Sequence, residues 1–388
     1  MKPTLLCVLS LFACQKTDGE APLAAAKLAP APKVQEVRPG GEPAIVQTTD
    51  LSGVKPRAGS PLLEQLVLGL ESCPLEGYQV VPTCPGMVAF TAGTKDKCTT
   101  LDAPLGGKLL RHASPAIRVK AAELMAGTIE GRTAIADAAA IERDLGVLQA
   151  YIRAVAHDGA RVPRVGAMLL AATDHADPAI RLAAVDALSL AANRWLTGGP
   201  EKLVAVARGD RDAKVRQAAC EKGGKLGNEA FLPLYEQATA STADPDMYAA
   251  CMEGLVAMFH NHPLFDTSSE AAYRLFLKRL EARPRSEHAP PWSVMSTFCY
   301  FSHEADLDRL AEWKKQASYF KPDEVKRAMA SVITDRSASW MARSAAIESM
   351  VGLGASKTEL AALKKGVDAG DRRDRPVVEK LASVLAEQ

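Results

Sequence analysis

The chain has 388 residues, 47% apolar, 24% charged and 5% aromatic, enough for two or three compact domains or one long array. This is the composition of a protein with a sizeable core, and few aromatics beside abundant alanine favour closely packed helices over a β-sandwich or barrel. A formal charge of +1 excludes a general attraction to nucleic acid, which needs a concentrated basic surface.

The N-terminus reads MKPTLLCVLSLFACQK. One lysine precedes an apolar run from Leu5 to Ala13, which is too short to cross a bilayer as a helix and suits a secretory signal. The run ends in LFAC, with no Ala-x-Ala step nearby for ordinary cleavage. Leu11 to Cys14 resembles the lipobox of bacterial lipoproteins, in which small residues precede a cysteine that is lipidated and becomes the new N-terminus. The resemblance implies that residues 1–13 are a signal peptide and that Cys14 bears a diacylglyceryl thioether and an N-acyl chain. It also implies an address, the bacterial cell envelope, with membrane contact through Cys14 alone. A cysteine thiolate is the nucleophile that such acylation needs, and several acyl chains on one residue hold a protein firmly. Gln15, where aspartate often marks inner-membrane retention, points to the outer membrane. The alternative is an unmodified cysteine closing a plain signal.

Residues 14–59 read as a tether. Gln15 to Gly59 holds six prolines and many alanines and shows no sustained apolar period. As a flexible coil it reaches about 35–40 Å. Residues 60–106 read as an N-terminal cap: a helix over SPLLEQLVLGLES, capped by Ser60 with Pro61 at its first position, then CPLEGYQVVPTCPGMVAF with an extended run from Tyr78 to Val81.

From residue 107 onward the chain repeats itself. HADPAIRLAAVDALS, at His175 to Ser189, is a near copy of HASPAIRVKAAELMA, at His112 to Ala126. Asp177 suits a helix N-cap and Pro178 the first helical position. Ile180, Ala183, Ala184, Ala187, Leu188 and Ala191 then form one apolar stripe at helical spacing. GDRDAKVRQAACEK continues the series with Asp212, Val215 and Arg216, offset by 35 residues, and DPDMYAACMEGLVAM with Asp244 and Met247, offset by a further 32. DLGVLQAYIRAVA, near Asp144, is a weaker copy. A period of 30–35 residues is one helical hairpin, which cannot bury its apolar face alone and so must stack.

These copies resemble short HEAT repeats, whose second helix carries D-x-x-V-R-x-x-A-x-x-A-L. The match covers Leu109 to Ala257, thins between Asn261 and Pro322, and returns from Ser337 to Gly354. The resemblance implies an all-α fold, an α-solenoid of HEAT-like hairpins in an armadillo-like superhelix over residues 107–388. It also implies an aspartate–arginine ladder between neighbouring repeats, here Asp177, Arg181, Asp212 and Arg216, interrupted where Tyr248 replaces the arginine. A ligand-contact role for Arg118 and Arg181 is the alternative.

Further helices are expected at LDRLAEWKKQA, PDEVKRAMASVI, TELAALKKGV and RPVVEKLASVLAE. GDRRDRP, at Gly370 to Pro376, is basic but interrupted by Asp371 and Asp374, so it reads as a solvated loop rather than a phosphate site.

Six cysteines follow Cys14, and six allow fifteen complete connectivities. Cys73 with Cys84 is the local candidate. Cys220 and Cys251 fall one position apart in aligned repeat helices and form another; buried free thiols are the alternative. Without a C-x-x-C pair, a zinc site is disfavoured. FHNHPLF places His260 and His262 two apart, and Cys299 and His303 stand one helical turn apart. They are suitable ligand types, but nothing in the sequence joins the two segments, so no metal and no cofactor is expected. No nucleophile elbow, P-loop, dinucleotide fingerprint or H-E-x-x-H motif appears. The expectation is therefore a non-enzymatic scaffold that binds a protein or peptide in the envelope, with no nucleic-acid partner. A metal-dependent or otherwise enzymatic factor built on the His260/His262 region is the alternative.

Overall fold

The computed structural model describes residues 63–94, 100–241, 243–260, 269–281, 318–367 and 370–387. The expected signal peptide, Cys14 and the tether lie outside the described residues, as do Ser60, Pro61, His262, Cys299, His303 and the helix expected at residues 307–317. Among the described residues there are 17 α-helices and one small β-hairpin, so the fold is all-α.

The N-terminal part is α1 (Leu63–Leu68), the hairpin β1 (Leu75–Glu76) and β2 (Gln79–Val80), and α2 (Pro85–Thr94). The strands are antiparallel, Leu75 facing Val80, and Gly77 takes the left-handed φ of 62° that their tight turn demands. A disulfide joins Cys73 to Cys84 across a Cα separation of 5.7 Å. Val67, Leu70 and Phe90 of the same segment are buried.

This cap is fastened to the helices that follow. Ser114, at the N-cap position of its helix, caps no backbone N–H there. Its Oγ donates instead to the carbonyl of Glu71, 3.0 Å away. The Arg153 guanidinium lies 4.1 Å above the Tyr78 ring.

Five helical hairpins come next: α3 (Ala103–Leu109) with α4 (Pro115–Met125), α5 (Ile129–Ala139) with α6 (Leu145–Ala154), α7 (Pro163–Ala172) with α8 (Pro178–Leu188), α9 (Gly199–Gly209) with α10 (Ala213–Gly223), and α11 (Leu232–Ala238) with α12 (Pro245–His260). Because α3 runs across residues 106 and 107, the first hairpin starts at Ala103. In each hairpin the second helix packs against the second helix of the next, giving a continuous layer α4–α6–α8–α10–α12, while α3, α5 and α7 line up beside it. Further along, α13 (Glu270–Glu281) packs on α12 and on α14 (Pro322–Ile333). The described chain ends with α15 (Trp340–Gly352), α16 (Lys357–Gly366) and α17 (Arg375–Glu387).

Local chemistry accounts for the boundaries. Asp144, Asp177 and Asp212 each accept a hydrogen bond from an early backbone N–H of their helix. In α8 the stripe Ile180, Ala183, Ala184, Ala187 and Leu188 is buried, but the helix stops at Leu188 and Ala191 sits half-buried in a 3-10 turn. Buried Asn193 is the reason. Its amide nitrogen donates to the carbonyls of Ala187 and Ala156 at 2.8 and 2.6 Å, and its oxygen accepts from the N–H of Ala160 at 3.2 Å. One side chain thereby ends α8 and ties its terminal turn to the preceding repeat.

The tightest contact in the layer is between α10 and α12. A β-carbon on Gly224 would collide with the carbonyl of Gly254, and one on Gly254 with the carbonyl of Cys220. Beside these glycines Cys220 and Cys251 form a disulfide with a Cα separation of 5.0 Å, and both are fully buried. The Tyr235 hydroxyl donates to the Cys220 carbonyl at 2.9 Å.

Candidate functional site

The second helices share one device at their starts. Their fourth helical residues are Arg118 in α4, Leu148 in α6, Arg181 in α8, Arg216 in α10 and Tyr248 in α12, with Arg343 equivalent in α15. Arg181 folds back so that Nη1 donates to the carbonyls of His175 and Ala176, each at 3.0 Å. Arg118 does the same to His112 and Ala113 at 2.8 and 2.9 Å. Each arginine thus satisfies carbonyls of the turn that precedes its own helix.

The other edge of each guanidinium crosses to the next repeat. Arg181 pairs side-on with Asp210, Nε to Oδ2 at 2.7 Å and Nη2 to Oδ1 at 2.8 Å. Arg118 pairs likewise with Glu142 at 2.8 and 3.1 Å. Arg343 reaches Asp374 just before α17 at 2.8 Å. This corrects the ladder expected from the sequence: Asp177 and Asp212 are not its carboxylates. They cap their own helices, while the acids paired with Arg181 and Arg118 stand two residues before the cap, as Asp210 and Glu142; Asp374 alone of the three stands directly before its helix. The reason is reach. A capping carboxylate is turned toward its own helix axis, whereas the residue two positions earlier faces the preceding turn. Arg216 donates to the Asp210 carbonyl at 2.8 Å, and Tyr248 is buried at the position where the sequence loses its arginine.

The position two before the cap also holds the turn itself. Asp210 accepts from the N–H of Asp212 at 2.8 Å and Glu142 from that of Asp144 at 2.9 Å. His112 and His175 take the same place, their Nδ1 atoms accepting from Ser114 and Asp177, each at 3.0 Å. The residue type follows its neighbour. Arg118 and Arg181 each meet an acid at this position of the next repeat; the repeat that follows Leu148 carries His175 at the same position. Both side chains of the Arg181–Asp210 pair are about 5% exposed or less. Burial alone would raise the Asp210 carboxyl, but the Arg181 hydrogen bonds, the Asp212 N–H and the charges of Arg181 and Arg211 together hold it below the ordinary value. Hydrogen bonding to Asp210 in turn raises Arg181.

Around this pair lies an open groove of about 560 Å³, lined by Asp174, His175, Lys202 and Arg211 among others. Lys202 pairs with Asp174 at 2.7 Å, and Arg211 donates to the Ala176 carbonyl. A second groove of about 530 Å³ separates α14 from α16, where Lys326 pairs with Glu359 at 3.1 Å. Along the layer the half-buried Asp186 of α8 pairs with half-buried Lys222 of α10. Glu221 of α10 stands near Glu253 of α12. Burial and the Glu253 charge raise the Glu221 carboxyl. These four half-buried side chains, mixed in sign, are contributed by α8, α10 and α12.

His260 is the last residue of α12. Among the described residues no group of three or more histidines, cysteines or acids is placed to hold a metal ion, and no helix is long and apolar enough to cross a membrane. The chain matches no protein family and no curated protein.

Proposed function

We propose that the protein is a HEAT-type α-solenoid lipoprotein, held by acylated Cys14 in the bacterial outer membrane, that binds a protein or peptide along the face that α8, α10 and α12 share. The observation that carries this reading is the continuous layer of second helices, with arginine–acid pairs joining α4 to the turn before α6 and α8 to the turn before α10. Such a layer offers an extended surface that needs no cofactor. The shared face with Asp186, Glu221, Lys222 and Glu253 gives it polar side chains for recognition. Two buried disulfides are consistent with an oxidising compartment such as an envelope.

A photo-crosslinking residue at half-buried Gln217, one turn before Glu221 on α10, should trap a discrete partner in native cells. The same residue at exposed Ala171 of α7 should not. No adduct from residue 217, or equal adducts from both positions, would sink the reading. Intact mass of the mature protein tests the anchor separately: an unmodified Cys14 would remove it.

A further inference from the structure

We infer that the end of the array where α14, α15, α16 and α17 turn is a second membrane contact, a cationic surface that docks on anionic phospholipid headgroups. The sequence GDRRDRP looks self-neutralised because Asp371 and Asp374 interrupt its arginines. The structure removes both acids from the surface balance. Asp374 is 2% exposed and sits between Arg343, at 2.8 Å, and Arg336, at 3.1 Å. Asp371 accepts from the N–H of Arg373 at 2.8 Å and approaches Arg336 at 3.7 Å.

With those acids matched by Arg336 and Arg343, the outward charge of the described residues at this end is positive. Arg372, Arg373 and Arg375 are exposed, and no side-chain ion pair holds them among the described residues. Lys364 and Lys365 occupy the last turn of α16, immediately before the same loop. Among the described residues the acids beside this end include Asp335, which is half-buried and holds Ser337 at 2.9 Å, and exposed Glu379 one turn along α17; Asp368 lies outside the described residues.

Apolar anchors stand at the same end. Trp340 and Met341 open α15 and are 55% and 49% exposed. Arg343, in the same first turn of α15, donates to the Arg373 carbonyl at 3.4 Å, so the α15 start and the arginine loop are held together. Exposed indole beside several cations is the chemistry of a membrane–water interface, where tryptophan sits at headgroup depth and each cation adds attraction to anionic lipid. Helix ends and a short loop present these groups outward, which suits a surface better than an extended acidic segment seated in a groove.

Vesicle co-sedimentation of the full chain carrying Cys14→Ser tests this without the acyl anchor. Vesicles of phosphatidylcholine with phosphatidylglycerol should bind the protein, pure phosphatidylcholine should not, and added salt should release it. Arg372→Ala with Arg373→Ala should weaken partitioning about 30-fold, about fivefold per cation removed, with thermal unfolding unchanged because neither side chain is paired. Trp340→Phe should abolish the blue shift of tryptophan emission on binding. Absence of binding to the anionic vesicles, equal binding to both compositions, or undiminished binding by the double variant would each overturn the inference.

Discussion

At the scale of single residues, a buried carboxylate two positions before a helix cap is expected to contribute more than the cap itself. Asp210→Asn leaves the buried Arg181 guanidinium without its counter-charge and should cost about 3 kcal/mol, the low end for breaking a buried pair. Asp212→Ala removes only a capping bond and should cost about 1 kcal/mol. Urea denaturation of both variants checks the order. The pH dependence has a definite sign. Asp210 is held below its unfolded value, so its contribution is fully present above about pH 4 and disappears as pH falls through the lower folded value. The stability gap between wild type and Asp210→Asn should therefore shrink on acidification below pH 4; a gap that widens would refute the pairing. Asp177 and Asp212 were legible as helix starters because proline, acid and apolar period coincide in the sequence. Asp210, Glu142 and Asp374 were not, because their partners lie 29, 24 and 31 residues away and no local period marks them.

At the scale of elements, close approach and covalent links single out the α10–α12 contact. The Cys220–Cys251 loop spans 31 residues and the Cys73–Cys84 loop 11. On chain entropy alone, removing them should cost about 3.7 and about 2.8 kcal/mol respectively. Denaturant midpoints of the two double-serine variants test that ranking. Glycines give a sharper contrast. Gly254→Ala drives a β-carbon into the Cys220 carbonyl and the Tyr235 ring and should destabilise by about 2 kcal/mol. Gly107→Ala, inside α3 with open space around it, should stabilise by about 0.5–1 kcal/mol. Opposite signs in melting temperature are the expected result. Helix extents were largely readable, α17 to the residue, since its apolar stripe and its preceding loop are both explicit. The early end of α8 was not: Asn193 acts through carbonyls of another repeat, and nothing in its own neighbourhood announces that.

At the scale of the whole molecule, contacts run mainly between successive hairpins, so damage should stay local. In hydrogen exchange, Asp210→Asn should speed exchange in α8, α9 and α10 while leaving α14 to α17 near wild-type rates. Uniform acceleration along the chain would show a single cooperative unit instead. The all-α class was legible from alanine content and repeat period. The surface balance of the last turns was not, because a string of letters shows Asp371 and Asp374 beside their arginines and hides that both acids are turned toward Arg336 and Arg343.

The matching of Arg118 with Glu142 and of Arg181 with Asp210 has a consequence for how such a chain tolerates rearrangement. Excising the α5–α6 unit would set Arg118 against His175, leaving a guanidinium with no anion to meet it. Excising α7–α8 would set Leu148 against Asp210, an acid facing hydrocarbon. The near-identical copies at α4 and α8 are thus not interchangeable bricks: each arginine is matched to the acid that opens the repeat after it, and charge fixes that order.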